Sequence, residues 1–342
     1  MKTSETNLGI CLGRILFSFL VVCCHCFSAG PGETVIKPIR GMAVPFFFIV
    51  SFVFSAKSIS NNSGMSLQIR DRLLRIYRPF WFWGIVLAPF YAATILFPWS
   101  GQNGFSTVTA GIALQLLFGH VYDHPLWFLF LLGLFQGVFI LVAKTNRSKQ
   151  STLCLLGTLL AISYFLQYSG INDWAWGRFP FSVKYPFGRI AECIPFAVAG
   201  VTLNKWRIVD KISSSRFICP FLLFLAILSW PLPIAPVPDF PGFEYAGLYK
   251  ARVGAAAALF FFALPLSKLP QRLKAAIKFV SSFSLGVYCV HVPVGFALEL
   301  LYTSIGFQPT DLIHCLFVFL ISLTVCHALH LFSKGRLKPF VS

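Results

Sequence analysis

The stretch LGICLGRILFSFLVVCCHCFS, residues 8–28, carries a single formal charge, Arg14, in 21 positions. At 1.5 Å of rise per residue such a run spans about 31 Å as a helix, the thickness of a hydrocarbon core. Nine further apolar runs follow near 41–56, 79–98, 126–143, 151–168, 186–203, 217–234, 249–266, 280–301 and 312–332. The reading is an all-α, polytopic membrane bundle of about ten transmembrane helices. Arg14 interrupts the first run and few basic residues precede it, so we expect a retained first helix rather than a signal peptide, despite Phe27-Ser28-Ala29 ahead of Gly30.

Composition points the same way. Of 342 residues, 57% are hydrophobic and 11% charged, where a soluble domain has about a quarter charged. The net charge of +17 raises two explanations, nucleic-acid binding and membrane orientation, and the distribution of the basic residues separates them. One set of loops holds Lys57, Arg70, Arg72, Arg75, Arg78, Lys144, Arg147, Lys149, Lys205, Arg207, Lys211, Arg216, Lys268, Arg272, Lys274 and Lys278, and the termini add Lys2, Lys334, Arg336 and Lys338. The alternate loops hold only Lys37, Arg40, Arg178, Lys184 and Lys250. By the positive-inside rule both termini are expected in the cytoplasm, with an even number of spans. No basic cluster is interleaved with aromatics on a water-facing domain, which excludes nucleic acid as the expected partner. Residues 1–342 read as one membrane domain, with an interfacial helix expected over 107–119.

The ten cysteines lie in or beside the apolar runs, where thiols act as small hydrophobes. Cys23-Cys24-His25-Cys26 resembles a zinc site in composition only. Consecutive helical residues point about 100° apart and do not converge on one ion, so no metal is expected.

Charged groups inside spans are expensive and call for a reason. Arg14 and His25 are eleven residues apart, which returns a helix to within about 20° of its starting azimuth after a rise of about 16 Å. Both therefore share one face. Two explanations stay open on periodicity alone: Arg14 snorkels to an interface while His25 caps a polar patch, or the face looks into a functional cavity. Arg189 and Glu192, three apart, read as a neutralising pair, while Glu299 near a helix end needs only water.

An arginine, ten residues and a histidine in the first helix, then GMAVPFFFIVSFVF at 41–54, resemble the integral-membrane acyltransferase 3 family and its Val-Pro-Leu-Phe-Phe-x-x-Ser-Gly-Phe pattern. Phe52 stands where that pattern has glycine. HPLWFL at 124–129 is similar to the family's His-x-Trp-Phe-Leu motif, FGRIAECIPFAVAG at 187–200 to its arginine helix, and FSLGVYCVHVPV at 283–294 to its Ser-x-Gly-x-Tyr-x-x-His-x-Pro signature.

The resemblance implies transfer of an acetyl group from acetyl-CoA, a co-substrate rather than a bound cofactor, to a hydroxyl of an extracytoplasmic or lipid-linked polysaccharide, such as the O-antigen, at a bacterial inner membrane. It implies His25 as catalytic base or transient acyl carrier and Arg14 as the group that orients the donor. Ser51, Trp127, Arg189, Tyr288 and His291 become substrate-binding candidates. Arg70, Arg72, Arg75 and Arg78 have two readings, attraction to anionic headgroups and recognition of the CoA phosphates, which arginine forks match. A secondary transporter or flippase for a lipid-linked sugar is the rival function, since intramembrane charges suit both. A purely structural scaffold would leave Arg14 and His25 freely replaceable.

Overall fold

A computed structural model of the chain describes residues 7–26, 42–58, 65–96, 116–117, 126–144, 148–168, 181–212, 246–307, 309–334 and 336–341. Every regular element among them is helical: α1 (Leu8–Cys26), α2 (Ala43–Ser58), α3 (Met65–Leu96), α4 (Trp127–Lys144), α5 (Lys149–Tyr168), α6 (Phe181–Lys205), α7 (Ile208–Ile212), α8 (Ala246–Ala263), a 3₁₀ turn (Leu266–Lys268), α9 (Gln271–Ser282), α10 (Ser284–Ile305), α11 (Asp311–Phe332) and α12 (Lys338–Val341). Of these, α1, α10 and α11 are long and apolar enough to cross a membrane by length and composition, and shorter apolar helices occur at Ala43–Ser55, Trp127–Val138 and Gln150–Leu166. The run expected at 217–234 and most of the helix expected at 107–119 lie outside the described residues.

Two expectations are corrected. Residues 70–78 are not a loop: α3 begins at Met65 and runs 32 residues through Pro79 and Pro89. Each proline removes one ladder hydrogen bond, but the flanking turns hold. At about 48 Å, α3 exceeds a hydrocarbon core of about 30 Å, so its basic first turns extend past the apolar part. The segment 271–282 is likewise a helix, α9. Its sequence QRLKAAIKFVSS puts Leu273, Ile277 and Val280 at helical spacing between lysines, a two-sided pattern that stabilises an amphipathic helix.

The chain divides into two compact units, residues 1–54 with 199–342, and residues 55–198. In the first, α1 packs against α8, α9, α10 and α11, and α10 lies along α11. Small residues permit close approach. A side chain at Gly13 would meet the rings of Phe46 and Phe261 at 2.7 and 2.9 Å, and those rings gather with Phe17, whose centroid is 4.1 Å from that of Phe46. Gly200 leaves room for the Phe52 Cβ and the Ile49 carbonyl, so the tight helix contact that lacks a glycine at Phe52 is made by a glycine on the facing helix instead.

In the second unit, α3 packs on α4. Gly133 accommodates the Tyr77 ring, whose hydroxyl donates to the Phe130 carbonyl at 3.3 Å. The buried Ser163 hydroxyl of α5 donates to the Ala191 carbonyl of α6 at 2.6 Å, satisfying a polar group that would otherwise be costly in an apolar setting.

Candidate active site

On α1 the positions Arg14, Ser18, Val21 and His25 follow the spacing of one helical face. Ser18 and Val21 are 1% and 4% exposed, whereas Arg14 and His25 are exposed. The two polar side chains are thus exposed at either end of a stripe whose intervening residues are packed against protein. Ser18, between them, is a residue the sequence did not single out. Its hydroxyl is buried with no hydrogen-bond partner among the described residues. Along the cysteine run, Cys23 is buried, Cys24 half-buried and His25 exposed, the divergence that 100° steps impose.

Opposite His25 stands His291 of α10. Their ring centroids are 5.1 Å apart at an interplanar angle of 52°. His291 is fully buried, and its Nδ1 lies 2.9 Å from the Tyr288 carbonyl and 3.2 Å from that of Val287. Carbonyls only accept, so Nδ1 carries the hydrogen. That fixes the neutral tautomer and leaves the Nε2 lone pair as an acceptor. Among the described residues Nε2 has no hydrogen-bond partner. The Tyr288 ring, also buried, sits 6.3 Å from that of His291. α1 and α10 run parallel, since Val22 and Cys23 share a core cluster with Val287 and a side chain at Gly295 would touch the Cys26 sulfur. The last turns of α1 and the middle of α10 thereby bring His25, His291 and Tyr288 together.

Ser51 is half-buried on α2 between buried Val50 and Phe52. The remaining candidates belong to the second unit. Arg189 pairs with Glu192, as its spacing suggested, and its guanidinium also stands 5.5 Å over the Trp127 ring, a cation–π arrangement. On α3, Arg70 is 68% exposed and lies 3.7 Å from Asp71. Arg72, Arg75 and Arg78 are three apart, each step drifting by about 60°, so they share one broad sector. Partial burial, and then the like charge of Arg75, lower the pKa of Arg72. His124 lies outside the described residues.

An acyltransferase domain model, that of acyltransferase 3, matches residues 7–331. The chain belongs to the acyltransferase 3 family. Neither the curated proteins nor the solved structures gave a match. The family and the helices long and apolar enough to cross a membrane make this chain a membrane acyltransferase that uses an acyl donor in a bilayer setting. Arg14, His25, Ser51, Trp127, Arg189, Tyr288 and His291 all fall within the matched span.

Proposed function

We propose that this chain is a multi-pass O-acetyltransferase of the bacterial inner membrane that moves acetyl from cytoplasmic acetyl-CoA to a hydroxyl of a lipid-linked or surface glycan of the O-antigen type. About ten spans with both termini cytoplasmic, in one catalytic domain, are part of this reading, supported by the asymmetry of basic residues between alternate loops.

The observation that carries it is the pairing of an exposed imidazole with a buried one. His25 reaches accessible space and His291 does not. In this scheme His25 removes the proton from the acceptor hydroxyl as its oxygen attacks the thioester carbonyl. The carbon–sulfur bond breaks, and the departing thiolate takes the proton from His25. His291 touches no reacting atom. Its Nε2 lone pair is placed to accept from His25 after a small ring rotation, which orients His25 and steadies the imidazolium that forms, the part a carboxylate plays behind a catalytic histidine. Arg14, about 16 Å back along α1, orients the donor or balances its charge, and Arg72, Arg75 and Arg78 are assigned to the CoA phosphates.

The test is transfer of radiolabel from acetyl-CoA to a lipid-linked glycan fraction by membranes holding the full chain. Label on the glycan that disappears in His25→Ala supports the reading, and undiminished transfer by that variant overturns it.

A further inference from the structure

α10 carries polar and small residues beyond His291 at Gly295, Glu299 and Tyr302. Steps of 4, 4 and 3 keep these four within a sector of about 80°. The face that presents His291 to His25, and Gly295 to Cys26 one turn on, therefore continues to Glu299 and Tyr302. Facing it is His314, in the first turn of α11. Its Nε2 stands 3.6 Å from Glu299 Oε1, and the Tyr302 ring lies edge-on to it at 5.6 Å. Glu299, expected to need only water, thus has a specific neighbour.

The cluster is polar and under-satisfied. The His314 side chain is 8% exposed, while that of Glu299 is 62% exposed. Among the described residues, His314 Nδ1 and the Tyr302 hydroxyl are buried without a hydrogen-bond partner, and His314 Nε2 has only the Glu299 carboxylate, just beyond hydrogen-bond distance. Phe307 adds a second ring, 5.6 Å from that of Tyr302. Buried polar atoms are normally satisfied, and a set of orphans gathered at one place calls for a missing partner. An exposed carboxylate in front, donors and acceptors behind and aromatic edges alongside suit a ligand with many hydroxyls and apolar ring faces. The basic segment Lys268–Lys278 precedes α10, whereas the cluster lies at its far end.

We infer that Glu299, Tyr302 and His314 form a subsite for a sugar ring of the acceptor glycan, at the end of α10 remote from the basic segment. It rests on the acyl-transfer reading for the identity of the glycan, and it sets specificity rather than chemistry. Glu299 is two turns, about 12 Å, along α10 from His291. That exceeds one hexose ring, so the cluster grips a ring other than the one acylated.

The experiment uses the full chain in lipid nanodiscs and the methyl glycosides of glucose, galactose, mannose and rhamnose, read by saturation-transfer NMR. Wild type binds at least one glycoside. Glu299→Gln, Tyr302→Phe and His314→Gln each weaken it about tenfold, the cost of one hydrogen bond to a charged or buried group. Thr303→Ala, on the exposed side of the same turn, leaves binding unchanged. In the transfer assay the three variants raise the glycan KM and leave kcat and the acetyl-CoA KM alone. Absence of saturation transfer to every glycoside, or wild-type binding in all three variants, overturns the subsite. Glycoside binding without any CoA-dependent acetyl transfer overturns the catalytic reading and leaves the subsite standing.

Discussion

The ring of His25 meets that of His291 at 5.1 Å, and only the first of the two is open to the surroundings. One imidazole is open to a substrate, and its neighbour, locked by two backbone carbonyls, is not. This asymmetry separates their roles and makes them separately testable.

Replacing His25 with alanine should lower acetyl transfer by about 10²–10⁴, the range for a positioned general base. The readout is single-turnover label transfer from acetyl-CoA, alongside donor binding, which stays at the wild-type level.

His291 offers a paired test. Asparagine keeps a donor where Nδ1 stands and removes Nε2, while glutamine retains a polar atom near Nε2 and removes the Nδ1 donor. We expect His291→Asn to remain folded and to lose transfer by about ten- to a hundredfold, as loss of a hydrogen bond to a charged ring would. His291→Gln should lose thermal stability as well, because the fully buried site loses the ring donor that supplements the helix hydrogen bonds of two carbonyls. Equal stability and activity in the two variants would contradict the assigned tautomer.

The arginines of α3 should behave unequally. Arg75→Gln, in the shared sector with Arg72 and Arg78, raises the acetyl-CoA KM and flattens its dependence on salt, since fewer cations then meet the phosphates. Arg70→Gln, beside Asp71 in the open, changes the KM less than twofold.

Glycines supply a stability test away from the chemistry. A Cβ at Gly9 would overlap the Phe261 carbonyl oxygen, a backbone atom, so Gly9→Ala should destabilise by about 1–3 kcal/mol through overpacking. Gly157, within α5 and facing open space, should gain about 0.5–1 kcal/mol as alanine. Thermal unfolding in detergent, followed by circular dichroism, measures both.

The helical class was legible because apolar runs of membrane-spanning length leave little else to build. The shared face of Arg14 and His25 was legible from a spacing of eleven. Helix starts were not: the basic turns of α3 lack the apolar signal that marked residues 79–98. The relation of His25 to His291 joins residues 266 positions apart, which no periodicity reports. His314 was missed for the same reason, since its partners sit on another helix. Ser18 offered a weak signal, a hydroxyl on the Arg14–His25 face, that residue type alone did not make conspicuous.

The parallel course of α1 and α10 has a consequence for depth. From Arg14 to His25 is about 16 Å along one helix, and from His291 to Tyr302 about 16 Å along the other. Laid end to end at the two rings, these lengths come to about 32 Å, a little more than the thickness of a hydrocarbon core, with the imidazoles at the join. His25 is one residue from the end of a helix long enough to cross that core, so the acyl donor would have to reach most of the way along α1 to meet the two rings, while the Glu299–Tyr302 end of α10 extends beyond them.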